Sequence, residues 1–274
     1  MRIIVTNDDG FNAAGLKALV KVLRKYGELT VIAPKTAQSG MSMAITMGYK
    51  PIAVKQLSDK PGESWWYLDG TPASCVKFAV DNILFPLKAD LVVSGVNHGS
   101  NAATAAIYSG TVGAAMEGAV DDIPSIAVSL DSFDPDADFS VVEQQLPAIL
   151  DKLLPRLDGR KGVFYNINFP NIPASEVKGV RLCRMGIAHW EKEYREWNEF
   201  LAESGHKPSG RDLDYVAGAC EGERFYVMAG DFVSEACNGP HADHIALEEG
   251  YISITPGNID NTDLKELERL CDII

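Results

Sequence analysis

The chain opens on Arg2-Ile3-Ile4-Val5-Thr6-Asn7-Asp8-Asp9-Gly10, and this stretch does most to limit what it can fold into. A short β-branched run ends in two neighbouring carboxylates and a glycine, and the helical spacing of Leu16, Leu19, Val20 and Leu23 follows at once. That pattern is a buried strand delivering Asp8 and Asp9 to a strand-to-helix turn. In open α/β sheets the crevice at the carboxyl ends of the strands is where ligands bind. Two acids side by side there repel each other unless a cation sits between them, and a divalent metal is the simplest resolution. The same residues also suit a plain turn in which Asp8 caps the helix and Asp9 faces water.

Composition narrows the function classes. The formal net charge is −13, from 25 basic and 38 acidic residues, with no Lys/Arg cluster. Such a surface repels duplex nucleic acid, whereas a small phosphate ester can still be neutralised locally by backbone amides, helix dipoles and a metal. No apolar run reaches the length of a transmembrane helix and Met1 leads straight into a strand, so the expected compartment is the cytoplasm and no membrane partner is expected. The five cysteines are widely spaced and include no CxxC pair, which suggests neither a disulfide framework nor a zinc site.

Three further loops repeat the opening architecture. A second strand from Glu28 to Ala33, stopped by Pro34, runs into a polar loop containing Ser39 and Gly40. The serine can offer a hydroxyl to a metal or phosphate, and the glycine lets backbone approach a ligand, although an ordinary hydrophilic loop has the same composition. The strand Asp90 to Ser94 runs into Gly95-Val96-Asn97-His98-Gly99-Ser100-Asn101, where Asn97 can give a neutral oxygen to a hard cation and Asn101 can face an anion. His98 reads as a surface or packing residue. Tyr108-Ser109-Gly110-Thr111 then opens a small-residue helix whose first N–H groups form a ready phosphate cradle, with Ser109 or Thr111 also serving as its cap.

Between and beyond these loops the text alternates. Candidate strands at Ile52 to Lys55 and Trp65 to Leu68 precede a helix from Ala73 to Ile83 capped by Thr71 and Pro72. Further strands are expected at Pro124 to Leu130 and at Val163 to Pro170, the latter closed by its proline, with a helix over Val141 to Leu154. Strands alternating with helices predict an α/β fold with a Rossmann-like, mostly parallel, doubly wound sheet. From Gly186 the texture changes, and Trp190 to Arg211 suggests a protruding segment or oligomer contact. The expected division is a core over about 1–185 and a C-terminal extension used for oligomerisation over 186–274. That extension includes a helix-like stretch from His241 to Glu249, a strand from Tyr251 to Pro256 and a terminal helix from Asp263.

In one parallel sheet the four loops converge on one rim, bringing two carboxylates, a hydroxyl and an amide together beside an anion-binding helix end. The ordered motifs also resemble the survival protein SurE family of metal-dependent nucleotidases. They are Ile3 to Gly10, Ala33-Pro34 with Gln38-Ser39-Gly40, Gly70 to Ala73, Ser94 to Asn101 and Tyr108 to Gly118, with a thinner match beyond Leu130 at Asn166 to Pro170, the Asp243 region and a late strand ending in Thr255-Pro256. The resemblance implies a cytoplasmic phosphatase using one divalent ion, Mg²⁺ or Mn²⁺, on nucleoside 5′- and 3′-monophosphates and in some members short polyphosphate. It implies metal ligands at Asp8, Asp9, Ser39 and Asn97 and phosphate contacts at Gly40, Asn101, Ser109, Gly110 and Thr111. It further implies a homodimer or homotetramer with swapped C-terminal elements.

The chain departs from the family pattern at Asn12-Ala13-Ala14-Gly15, Met43 and Ala102 to Ala106, beside the expected pocket but off its metal ligands. Asp8 and Asp9 are the expected catalytic pair, one of them, with Asp8 favoured over Asp9, orienting or deprotonating the attacking water, and a covalent aspartyl-phosphate is the rival mechanism. Two readings from other classes share the architecture. A nicotinamide-dependent oxidoreductase is disfavoured because no GxGxxG opens the first helix, and a P-loop NTPase because no GxxxxGK[ST] occurs; a non-catalytic nucleotide binder would keep the fold without turnover.

Overall fold

The computed structural model describes residues 1–157, 161–271 and 273–274, with Arg211 described by its backbone alone. It divides into two compact units, Met1–Gly186 with Gly239–Ile274, and Ile187–Asn238.

The first unit is built on β1 (Arg2–Thr6), α1 (Ala14–Leu23), β2 (Glu28–Pro34), β3 (Val54–Lys60), β4 (Glu63–Leu68), α2 (Pro72–Phe78), β5 (Leu91–His98), α3 (Ala105–Tyr108), α4 (Gly110–Val120), β6 (Ser125–Leu130), α5 (Ser140–Leu153), β7 (Val163–Phe169) and β8 (Val180–Leu182). The helix expected over Ala73 to Ile83 is regular only to Phe78 and continues as a π-helical turn to Leu84. Within Ile187–Asn238, β9 (Ala188–Glu191) pairs antiparallel with β12 (Asp231–Ser234), and β10 (Tyr194–Glu196) with β11 (Tyr226–Met228). This unit also carries α6 (Trp197–Ser204) and α7 (Gly210–Ala217), the latter begun by a reciprocal cap between Ser209 and Asp212. The chain then returns to the first unit with α8 (Asp243–Glu248), β13 (Ile252–Asn258) and α9 (Leu264–Cys271). The stretch after Gly186 is therefore not one continuous extension, because β13 is a strand of the main sheet.

That sheet has the order β3-β4-β2-β1-β5-β6-β7-β13-β8. The six strands from β4 to β7 run parallel, while β3 and β13 are antiparallel to their inner neighbours. Both faces are covered, which accounts for the near-continuous apolar runs of the central strands. Ile3, Val5, Val31, Val93, Ile126 and Ile167 pack with α1 and α5 residues Leu16, Leu19, Leu146 and Leu150. The alternate residues Ile4, Ile32 and Val92 pack with Cys75 and Val76 of α2 and Ala114 of α4. The chain winds outward from β1 to β2 in one direction and from β5 to β7 in the other. The order reverses between β1 and β5, and a crevice opens at the carboxyl ends of strands at such a reversal.

The pairing of β5 with β6 slips between Ser94 and Asn97. Gly95 sits in this irregularity at φ +135°, where a Cβ would lie 2.2 Å from the Val128 carbonyl oxygen. Only glycine fits, and the slip re-aims Asn97 and His98 at the end of the strand. Gly95→Ala is expected to destabilise the fold by more than about 2 kcal/mol, the sum of a forbidden backbone angle and a backbone collision. Urea unfolding of the two proteins checks this, and equal midpoints would refute it.

Candidate active site

The site grows from the reversal between β1 and β5. Ile3, Ile4 and Val5 of β1 are buried apolar residues, and the turn after the strand is closed locally by Asn7, whose Nδ2 donates to the Gly10 carbonyl at 3.1 Å while its Oδ1 accepts from Gly10 N at 3.2 Å. That turn fixes Asp8 and Asp9 at the carboxyl end of the strand. Asp8 is 4% exposed and Asp9 partly exposed.

Asp8 is a junction between three segments distant in sequence. Its main-chain carbonyl accepts from Gln38 N at 2.8 Å, which ties down the loop carrying Ser39 and Gly40. Its Oδ1 accepts from the Thr111 hydroxyl at 2.5 Å, joining it to the start of α4. Gly110 is forced by the same approach, since a Cβ there would meet Asp8 Cβ at 2.9 Å and its Oδ2 at 3.1 Å. Ser42 N donates to the Tyr108 carbonyl at 2.9 Å, closing the loop against the residue before Ser109. Ser39 and Gly40 themselves are exposed on that loop. Ser109 caps α4 by accepting from Val112 N at 3.1 Å, which leaves its own proton free to be donated.

Asp9 meets the end of β5. The His98 N–H donates weakly to Asp9 Oδ2 at 3.4 Å, and His98 Nδ1 lies 3.6 Å from the same oxygen. The imidazole stands edge-on to Phe139, with ring centroids 5.0 Å apart. Asn97, one residue earlier, turns its Nδ2 back onto the carbonyls of His98 and Gly99 at 3.1 and 2.8 Å, so its Oδ1 is the atom available to a ligand. Asn101 is held inward: its N donates to Asn168 Oδ1 at 2.7 Å and its Nδ2 to Ser129 Oγ at 2.8 Å, while its carbonyl accepts from Asn166 Nδ2 at 2.7 Å.

Burial pushes the Asp8 carboxyl up to about 6; the Thr111 hydroxyl opposes this and the charge of Asp9 adds to it. Among the described residues no lysine or arginine nitrogen pairs with either carboxylate, and His98 is the sole basic side chain against Asp9. A desolvated carboxylate beside a second one, with no fixed cation, is a site whose charged form needs one supplied. The two adjacent carboxylates are hard oxygen donors, and no group of three or more His, Cys, Asp or Glu side chains gathers among the described residues. Such a set fits a hard divalent cation that keeps several waters and does not fit a zinc site of thiolates and imidazoles.

A model of the survival protein SurE family matches residues 3–192. This chain belongs to that family. It is 38% identical over 265 residues to the 5′-nucleotidase SurE of Christiangramia forsetii, covering 95% of this chain and 92% of the relative. Against the 5′-nucleotidase SurE of Syntrophobacter fumaroxidans the identity is 37% over 270 residues, covering 98% of each. The crystal structure of the SurE protein from Aquifex aeolicus superposes with a TM-score of 0.77 at 28% identity, covering 100% of this chain and 99% of that one. The SurE resemblance of the sequence and its α/β, mostly parallel architecture are both borne out.

Residue reading alone passes over three features. His98 against Asp9 was discoverable from its place beside Asn97 at a strand end. The Thr111 hydroxyl on Asp8 joins residues 103 positions apart and carries no local signal. Asn166 and Asn168 are two apart on β7, a spacing that puts both amides on one face of an otherwise apolar strand.

The raised carboxyl sets a direction for stability. The folded, metal-free protein keeps a proton on Asp8 that the unfolded chain releases in the ordinary carboxylate range near 3.8. The stability carried by that proton is complete below that range and is lost as pH rises through about 6, at most roughly 3 kcal/mol for a shift of this size. In EDTA, Asp8→Asn is expected to remove this fall, making the variant the more stable protein at pH 7 but not at pH 4. Denaturant melts at the two pH values check it, and an identical pH profile for both proteins would refute it.

Proposed function

We propose that this SurE-family chain is a metal-dependent nucleotidase, a phosphoric monoester hydrolase that releases phosphate from nucleoside 5′-monophosphates. The reading is carried by the buried Asp8, adjacent to Asp9 at the reversal of the sheet and hydrogen-bonded to the start of α4. It is supported by the relatives named 5′-nucleotidase SurE that match over nearly the whole chain. A reaction at phosphorus needs charge neutralisation, a positioned water and donors to the equatorial oxygens, and the rim offers a group for each.

When bound at Asp8 and Asp9, with Ser39 and Asn97 as neutral oxygen donors, one Mg²⁺ or Mn²⁺ per subunit supplies polarisation of a phosphate oxygen and a bound water of lowered pKa. Asp8 orients the attacking water and takes its proton through the carboxylate oxygen that the Thr111 hydroxyl leaves free. The N-terminus of α4, through the N–H groups of Gly110 and Thr111 and the free proton of Ser109, receives the phosphoryl oxygens; Gly40 and Asn101 border them. Water is the proposed nucleophile. The assignment extends to 3′-monophosphates, and the proposed assembly is a homodimer or homotetramer in the cytoplasm; no helix among the described residues is long and apolar enough to cross a membrane.

Phosphate release from a panel of nucleoside monophosphates and an aryl phosphate is expected with Mg²⁺ or Mn²⁺ and is expected to cease in EDTA. Absence of release with any divalent metal would sink the nucleotidase reading. Asp9→Asn should lower kcat by at least about a hundredfold with the melting temperature near wild type. Gly110→Ala, whose new methyl collides with Asp8, should lower kcat while leaving α4 intact by circular dichroism; wild-type turnover in that variant would show that Asp8 need not hold its observed place.

A further inference from the structure

Asp243 has no part in the proposed metal or phosphate contacts. It is the first residue of α8 and has no exposed surface. Its Oδ1 accepts three main-chain N–H groups, each at 2.9 Å: Ala103, Gly186 and its own neighbour His244. Its Oδ2 is buried and makes no hydrogen bond among the described residues. A buried carboxylate with this geometry ties main chain together, because each such N–H gains a charge-assisted bond and would be left unsatisfied without it.

Ala103 matters most of the three. It is fully buried and holds φ +51°, a left-handed angle that a non-glycine residue adopts only when its surroundings demand it. It is also a corner. Behind it lies Asn101, fixed to Asn166, Asn168 and Ser129. Ahead of it, its carbonyl accepts from Ala106 N at 3.2 Å, opening α3, which leads directly into Ser109. The angle at Ala103 thus sets the spacing between the Asn97 to Asn101 loop and the start of α4.

From this geometry we infer that Asp243 is a positioning residue of the phosphate site, acting through Ala103 to hold Asn101 and Ser109 to Thr111 at one separation. It touches no reacting atom. The inference rests on the nucleotidase reading for what those groups bind, but the clamp itself is independent of that reading. What the clamp requires at Asp243 is an acceptor oxygen, and its charge is secondary. Asp243→Asn, whose amide oxygen still accepts, is therefore expected to keep most of the effect, and Asp243→Ala to lose it.

The test combines hydrogen exchange with inhibition by inorganic phosphate. Asp243→Ala should speed amide exchange over 101–104 while leaving the Asp8–Gly10 turn protected. It should raise the inhibition constant for phosphate and the KM for a nucleoside monophosphate by at least about tenfold, the scale of outer-shell losses at ligand sites. Asp243→Asn should restore both readouts to within a few-fold of wild type. Leu150→Ala, a core truncation beneath α5, serves as a variant that lowers the melting temperature without touching the corner and should leave the phosphate constant unchanged. Asp243 would be merely structural if exchange at 101–104 quickened with no change in the phosphate constant, or if Leu150→Ala raised that constant equally. Unchanged exchange at 101–104 in Asp243→Ala would remove the clamp altogether. A wild-type protein that neither releases phosphate nor is inhibited by it would overturn the nucleotidase reading, while the exchange data would still decide whether the clamp exists.

Discussion

The site depends on one unfavourable arrangement, the withdrawal of the Asp8 carboxyl from water beside a second carboxyl. A surface aspartate would be hydrated and indifferent to its neighbours. Asp8 is instead walled in by the Gln38 loop and by the glycine at the head of α4, so its charge must be met by what the fold provides or by what the fold admits. The fold provides a hydroxyl from Thr111 and no lysine or arginine among the described residues. Two features around the crevice follow from that choice: small residues where helix and turn approach, as at Gly110, and a helix start whose hydroxyl turns onto the buried carboxyl.

How much of this was legible in the sequence depends on the range of the interaction. The strands were legible because β-branched runs bounded by proline and glycine need only local physics, and the mostly parallel, doubly wound sheet followed from their alternation with helices. The Asp8-Asp9 turn announced itself, since two acids after an apolar strand are a local anomaly. The length of β3 was not legible, because its exposed Val54–Lys60 stretch is held by pairing to β4 and not by its own apolar pattern. Neither was the split after Gly186, because the return of β13 between β7 and β8 is a pairing choice made far along the chain.

The polar interior was the least legible part. Asn101, Ser129, Asn166 and Asn168 satisfy one another in a region where each alone would be costly. Apart from the Asn166–Asn168 bond within β7, the partners are 28 to 67 residues apart, so no short window of sequence contains the network. Such networks specify geometry more than they add stability, which suits a rim where several loops must agree on one position.

The return of the chain after Asn238 has a consequence for biosynthesis. When the first 186 residues have left the ribosome, β7 is the outer strand of the growing sheet, with a row of unsatisfied main-chain groups along one side. Its natural cover, β13, is made only after the whole Ile187–Asn238 unit has been translated. Throughout that interval the nascent sheet offers an open edge to any other extended chain, the circumstance in which strand exchange and aggregation compete with folding. Closure of the sheet is thus an event of late synthesis.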